Sequence, residues 1–249
     1  MIKKYVYENS KVHKNYYIRT TDLESFINCP YNYKYKTFSM SNYDSFYIGK
    51  IIHTYIQHYI IRWGDDDNLL LKEVAKWVSW KDLSYLQQTK KILKENFNKD
   101  DYTVTTSERS FMINFELEEW NIILEWTLDL ILTNWKTNIV DIKTAGSKWS
   151  EWMIWLKHQS TIYSVLYNLS QNKTSWEQDF EYRIFTKQNT VQFQRIPIKI
   201  NIADWLMFVI KALKEYIKAE ENKEYPAKKS LQCVWCSLKN DCPEHNEIF

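Results

Sequence analysis

The sequence predicts one α/β domain, a mixed central sheet flanked by helices. Three observations lead to that class. Apolar and polar residues alternate with the period of a strand over residues 102–116, 128–133, 139–143, 180–186 and 191–200. Helical apolar stripes lie before, between and after these runs, over 20–26, 45–63, 148–168 and 204–220. At 249 residues the chain suffices for one large domain or two small ones, and no internal repeat or low-complexity linker divides it. The expected unit is therefore a single domain over 1–249.

Composition narrows the class. Hydrophobic residues make up 45% and charged residues 26%, ordinary values for a globular protein. The net charge of +2 carries no global basic signal, so a nucleic-acid site would have to be a local patch. No apolar run reaches the roughly 18 residues of a membrane span. The opening MIKKYVYENSKVHKN has no apolar core of a signal peptide, which makes a cytoplasmic location the expectation.

Taken in order, Thr20-Thr21-Asp22 opens a helix through Phe26, with Thr21 or Asp22 as its cap, and leads into Asn28-Cys29-Pro30 and the aromatics Tyr31, Tyr33, Tyr35 and Phe38. Taken alone, Cys29 reads as a small buried hydrophobe. The helix 45–63 carries Ile48, Ile51, Ile52, Tyr55, Ile56 and Tyr59 as a core stripe, together with Gly49 and His53. Gly64-Asp65-Asp66-Asp67-Asn68 lacks the spacing of an EF-hand and reads as a solvated turn. Residues 69–98 read as one or two helices, and 102–116 as a strand.

The chemistry concentrates in 124–163. Leu128, Leu130 and Leu132 alternate with Asp129, Ile131 and Thr133. A polar break at 134–138 marks a turn, and Ile139, Asp141 and Lys143 then share one face of a second strand. If these strands pair, Asp129 comes beside Asp141 and Lys143. Two carboxylates on adjacent strands supply the oxygens that a hard divalent cation needs, and the lysine can orient or deprotonate water or neutralise a phosphate. An Asp-x-Lys by itself is more often a solvated ion pair of little weight. In the helix that follows, Gln159 and Tyr163 stand four apart on one face. Residues 180–186 and 191–200 read as a hairpin around Lys187-Gln188-Asn189-Thr190, 204–220 as a helix, and Tyr225-Pro226 as its stop.

The tail holds Cys233, Cys236 and Cys242, spaced x2 and x5, which with Cys29 are all the cysteines of the chain. Four cysteines in a cytosolic chain point to a metal rather than to disulfides. Spacing does not separate Zn²⁺ from a 4Fe–4S cluster, and taken alone it leans to zinc.

Together these motifs resemble the PD-(D/E)XK nuclease superfamily in its RecB/AddB-like branch, which includes the CRISPR-associated exonucleases of the Cas-four type. The matching elements occur in the family's order over about 20–243: Cys29-Pro30, Gly49-x3-His53, Asp129 then Asp141-Ile142-Lys143-Thr144, Gln159-x3-Tyr163, and the cysteine triplet. The resemblance implies a restriction-endonuclease-like core and Mg²⁺- or Mn²⁺-dependent hydrolysis of DNA, best matched by an exonuclease acting at single-stranded ends. It implies that His53, Asp129, Asp141 and the carbonyl of Ile142 hold the metal. Lys143 would activate water and stabilise charge, and Gln159 and Tyr163 would position Lys143 or a phosphate. It also turns the cysteine reading towards a 4Fe–4S cluster on Cys29, Cys233, Cys236 and Cys242, closing a loop of about 200 residues, with zinc as the alternative. The implied partners are DNA and proteins of CRISPR adaptation or recombination, with no membrane. The rival readings are a non-catalytic DNA-end-binding subunit and a zinc-stapled adaptor of a recombination complex.

One departure concerns glycine. The chain has 12 Trp and only 3 Gly, where usual usage of about 7% would give roughly 17 Gly. Trp126 stands three before Asp129, where the family usually has Gly. Trp120, Trp135 and Trp176 also occupy glycine-like positions, Trp135 in a turn where Asn-Gly is favoured. The codon UGA is read as Trp in some genetic codes and Gly in others, so some of these positions are candidates for native glycine. The competing reading is a Trp-rich protein that stacks on bases.

Overall fold

The sheet is built around one long strand, β4 (Trp120–Thr133), whose even-numbered side chains from Ile122 to Leu132 are at most 2% exposed. A computed structural model of the protein describes residues 3–6, 14–36, 43–62, 80–98, 101–117, 120–172, 176–187 and 190–244. The expected turn at 64–68, the first part of the helical stretch 69–98, Phe38, and Gln188 and Asn189 of the expected hairpin lie outside the described residues.

The strands are β1 (Lys3–Val6), β2 (Lys14–Arg19), β3 (Thr103–Leu117), β4, β5 (Thr137–Ala145), β6 (Glu177–Thr186) and β7 (Phe193–Asn201). The helices are α1 (Thr20–Asn28), α2 (Pro30–Tyr35), α3 (Tyr43–Arg62), α4 (Trp80–Asn96), α5 (Glu151–Trp155), α6 (Gln159–Ser170) and α7 (Ile202–Asn222), followed by a 3₁₀ turn at Leu231–Trp235. Six strands run in the order β1-β3-β4-β5-β6-β7, and β2 adds to β4 as the seventh. The pairs β3–β4, β4–β5 and β6–β7 are antiparallel; β1–β3, β2–β4 and β5–β6 are parallel. The sheet is mixed, as expected, and the parallel step from β5 to β6 is made through α5 and α6, the helical crossover such a step requires.

Helices cover both sides. Leu23, Phe26, Ile162, Val165, Leu166, Val209, Leu213 and Ile217, from α1, α6 and α7, share one core with Ile122, Leu124 and Ile139 of the sheet. Ile52, Ile56, Ile60, Leu86 and Leu93, from α3 and α4, share a second with Leu130, Val140, Ile142 and Phe185. Among the described residues, no helix is long and apolar enough to cross a membrane.

Several boundaries differ from the sequence reading. The helix expected over 148–168 is two helices, α5 and α6, separated at Leu156–His158. Neither Gly nor Pro stands at the break, so composition carries no signal of it. Helix α1 starts directly from β2, with Arg19 at its cap and no side-chain capping bond, rather than from Thr21 or Asp22. Helix α7 ends at Asn222 because Lys223 turns left-handed (φ 60°), before Pro226 is reached. Strand β2 had no alternation to reveal it, and its pairing with β4 is the larger surprise.

The tryptophans divide. Trp126 is 2% exposed and stacks on Phe111, with centroids 5.3 Å apart and planes at 13°, while its Nε1 is enclosed without a hydrogen-bond partner. Trp120 is 3% exposed, whereas Trp135 and Trp176 are 80% and 73% exposed. Among the described non-glycine residues only Asn172 and Lys223 have positive φ, so none of these tryptophans occupies backbone reserved for glycine. The packing predicts that Trp126→Gly costs about 3–5 kcal/mol, the range for emptying an aromatic core site, and that Trp135→Gly stays within about 0.5 kcal/mol. Urea melts of the two variants check this. A Trp126→Gly protein that is more stable and more soluble would identify that position as native glycine.

On β6 a second buried feature tests the electrostatics of the sheet. Glu181 and Arg183, 2% and 1% exposed, form an ion pair, and Arg195 of β7 closes on Glu181 with Nη2–Oε2 at 2.7 Å. Burial alone would raise the Glu181 pKa, but its bonds to Arg195 and Arg183 hold it below the ordinary 4.5. A carboxyl held low stabilises the fold above the carboxylate range, and that stability is lost as pH falls through its folded value. Glu181→Gln should therefore cost about 3–5 kcal/mol at neutral pH by leaving Arg183 uncompensated. It should also flatten the acid limb of stability below about pH 4.5. Denaturant melts from neutral pH down through that limb provide the measurement.

Candidate active site

Strand β4 is paired with β3 along one edge, but its other edge is divided. Strand β2 pairs with Trp120 to Glu125, and β5 pairs with Leu130 to Thr133. Between these two partners the sheet forks, and Asp129 stands on β4 at the fork, one residue before its pairing with β5 begins. The last β4–β5 pair is Leu130 with Val140, and the next residue of β5 is Asp141.

At this point the ladder is continued by a side chain. The Ile142 N–H donates to Asp129 Oδ2 at 2.7 Å. The same oxygen lies 3.0 Å from Nε2 of His53 on α3. Helix α3 can come this close because of Gly49, one turn before His53. A Cβ at Gly49 would stand 2.7 Å from Thr144 Oγ1, closer than real Cβ contacts allow. The glycine of Gly-x3-His thus has a steric reason: it seats the helix on the threonine that follows Lys143.

Asp141 and Lys143 form an ion pair, with Nζ 2.7 Å from Oδ2, and the side chains are 3% and 28% exposed. On α6, the Gln159 Nε2 donates to Tyr163 Oη at 2.8 Å. Tyr163 is 4% exposed and feels the charges of both Asp141 and Lys143. His53, Asp129, Asp141, Lys143, Gln159 and Tyr163 are therefore brought into one constellation from α3, β4, β5 and α6. The backbone of Ile142 belongs to it through its N–H.

Burial sets the electrostatics. It pushes the Asp141 carboxyl up to about 7, against the pull of Lys143, and the neighbouring Asp129 adds to the rise. For Lys143 burial works downward, but Asp141 and Asp129 prevail and its pKa is raised, so the ammonium stays charged. Burial also works to lower His53, but the bond to Asp129 prevails and its pKa is raised as well. Tyr163 is pushed up to about 12, first by burial and then by Asp141, so its hydroxyl stays protonated.

In kind, two carboxylates and a backbone carbonyl are the oxygen donors that a hard divalent cation takes, while the His53 imidazole is a softer nitrogen donor. The carboxylates are engaged with His53, Lys143 and the Ile142 N–H. Among the described residues, no three His, Cys, Asp or Glu side chains are gathered closely enough to hold a metal ion.

The cysteine tail folds back onto α1 and α2. Cys29 caps α2, its Sγ accepting from Asn32 N at 3.5 Å, and the Asn32 Nδ2 donates to Cys236 Sγ at 3.2 Å. Tyr31 Oη donates to the carbonyl of Asp241, beside Cys242, at 2.9 Å, and Lys228 Nζ donates to the Ile27 carbonyl at 2.9 Å. Cys233 accepts from Ser230 N at 3.3 Å. All four cysteines are unbridged and half-buried.

Two contributors were not visible in the sequence. Thr20, 3% exposed, bonds to Tyr163, and the Tyr182 ring of β6 lies opposite Asp141 in the β5–β6 register. Their types, a threonine at a helix start and a tyrosine in a strand, carry no catalytic signature; the folded chain brings Thr20 to Tyr163, and the strand register brings Tyr182 beside Asp141.

No curated protein matches the chain. The crystal structure of SSO0001 is similar at 16% identity with a TM-score of 0.46, covering 94% of this chain and 89% of that one. A candidate exonuclease from Eubacterium rectale shares the fold at 14% identity with a TM-score of 0.52, covering 88% of this chain and 86% of that one. The model of the PD-(D/E)XK nuclease superfamily matches residues 20–243, nine-tenths of the sequence and every motif placed above, and the chain belongs to that superfamily.

Proposed function

We propose that the protein is a metal-dependent DNA exonuclease that hydrolyses phosphodiesters, with single-stranded ends as its best substrate. The observation that carries this reading is the meeting of His53, Asp129 and the Asp141–Lys143 pair at the fork between β4 and β5. His53, Asp129, Asp141 and the Ile142 carbonyl would hold Mg²⁺ or Mn²⁺, which when bound supplies Lewis-acid polarisation of the phosphate and of an attacking water. Lys143, charged and anchored by Asp141, orients that water and neutralises charge gathering on the phosphate oxygens. Gln159 and Tyr163 act as a hydrogen-bonded pair that fixes the Lys143 side of the site; the neutral Tyr163 hydroxyl can donate to a phosphate. CRISPR adaptation, recombination and repair are the settings that suit such an enzyme, with partner proteins drawn from the same pathways.

Asp129→Ala, Asp141→Ala and Lys143→Ala should each lower cleavage of end-labelled DNA by 10²-fold or more, on the order of 3 kcal/mol of transition-state stabilisation. DNA binding in EDTA should survive in each. Near-native turnover by Lys143→Ala would remove the assignment.

The tail is proposed to hold a 4Fe–4S cluster on Cys29, Cys233, Cys236 and Cys242. The return of the tail onto α2 supports this, since Asn32 touches both Cys29 and Cys236. Cluster binding energy would be folding energy, so Cys233→Ser or Cys236→Ser should lose iron and lower the melting temperature together. Anaerobic purification with iron and zinc analysis distinguishes the cluster from a zinc staple. Unchanged melting and unchanged iron in either variant would reject the proposal.

A further inference from the structure

Helix α6 carries Gln159 and Tyr163, yet it starts without the usual support. It begins afresh after the break at Leu156–His158. The first N–H groups of a helix have no partner inside it, and a Ser, Thr, Asp or Asn at the cap normally takes one of them. Here the cap position is His158, which makes no side-chain capping bond, and its ring lies against Phe208 of α7 with centroids 5.4 Å apart. The support comes from the sheet instead. The Ser160 N–H donates to Tyr182 Oη of β6 at 3.2 Å.

That phenol is itself held in place. Tyr182 is 0% exposed, and its ring makes edge-on contacts with Phe180 and Trp149, at 4.9 and 5.2 Å between centroids. Gln194 of β7 clasps the Trp149 backbone: the Trp149 N–H donates to Gln194 Oε1 at 2.9 Å, and its carbonyl accepts from Gln194 Nε2 at 3.0 Å. In the parallel β5–β6 register Tyr182 stands opposite Asp141. One strand position therefore neighbours the buried carboxylate of the site and also grips the first turn of α6. Gln159 directly precedes Ser160, and Tyr163 lies within the next turn. We propose that Tyr182 is a positioning residue, whose hydroxyl caps α6 from the sheet and so sets Gln159 and Tyr163 against Asp141 and Lys143. A cap supplied by His158 would have fixed the helix only to its own chain; a cap from β6 fixes it to the strand beside Asp141. The effect on rate rests on the nuclease reading above, whereas the cap rests on the Ser160 bond alone.

Amide exchange and kinetics test the two parts. Backbone hydrogen exchange of wild type and Tyr182→Phe is followed by NMR without DNA or metal. In wild type the Ser160 amide should exchange at least about tenfold more slowly than that of Gln159. Tyr182→Phe keeps the ring and should erase that difference, while the amides of Val165 and Leu166 in the middle of α6 keep their rates. Cleavage of end-labelled DNA is then measured with Mn²⁺. Tyr182→Phe should lower kcat about tenfold and leave KM within about twofold, the mark of misplaced groups rather than lost binding. In a Gln159→Ala/Tyr163→Phe background the same change should cost less than about twofold, because the groups it places are gone. A merely structural role predicts the same fold-loss in both backgrounds, and that result overturns the proposal. So does a wild-type Ser160 amide that exchanges like Gln159, or a Tyr182→Phe protein with wild-type kcat. Should Tyr182→Phe fail to fold, Ser160→Pro removes the same bond from the donor side, since proline is tolerated in the first turn of a helix, and its kinetics are read in the same way. If wild type cuts nothing while the Ser160 amide is protected as expected, the nuclease reading fails and the cap from β6 stands.

Discussion

The site depends on a sheet that is allowed to fork. A strand edge inside a sheet leaves backbone groups that must find partners, because a buried unpaired N–H costs more than a formed bond returns. Strand β4 changes partner between Glu125 and Leu130. Asp129 meets the cost at that gap by accepting the Ile142 N–H with its carboxylate. One side chain therefore closes the sheet and presents an anion at the opening. His53 and Lys143 follow from it: an acidic pair, with Asp141 only 2% exposed, must have cationic or hydrogen-bonding neighbours to remain folded.

The two cores hold the pieces of the site at fixed heights. Ile52 and Ile56 flank His53 on α3 and pack with Leu130, Val140 and Ile142, the strand residues next to the two aspartates. Tyr163 is packed on the opposite side with Ile162, Val165 and Leu166 of α6. The carboxylates thus lie between two packed helices that approach from opposite faces of the sheet. Small changes in either core would move a functional atom, since packed interiors transmit volume changes rather than absorb them.

How far the sequence could be read follows from the range of the interactions involved. Asp141 and Lys143 share a strand face by a period of two, and Gln159 and Tyr163 share a helix face by a spacing of four; local geometry places them, and the folded chain brings both pairs together. The pairing of β4 with β5 follows from a short polar turn. The parallel addition of β2 to β4 joins residues about a hundred apart, and nothing local encodes it. The break between α5 and α6 is equally silent, because no helix-breaking residue stands at Leu156–His158. The Gly49–Thr144 contact lies between these cases: Gly-x3-His was legible as a motif, but the reason for its glycine needed the approach of a strand.

The cysteine tail, remote in sequence from the carboxylates, is tied to them by α1. That helix begins at Thr20, which bonds to Tyr163, and ends at Asn28, next to Cys29. Nine residues of helix are a rigid rod of about 13 Å. Leu23 and Phe26 lock it into the same core as Tyr163 and α7, and Lys228 of the tail caps its last turn through the Ile27 carbonyl. Any constraint placed on Cys29 therefore acts on the position of Thr20, and through it on the tyrosine beside Asp141 and Lys143. One helix thus joins the two regions: Cys29 follows its last residue, and Thr20, its first, bonds to Tyr163.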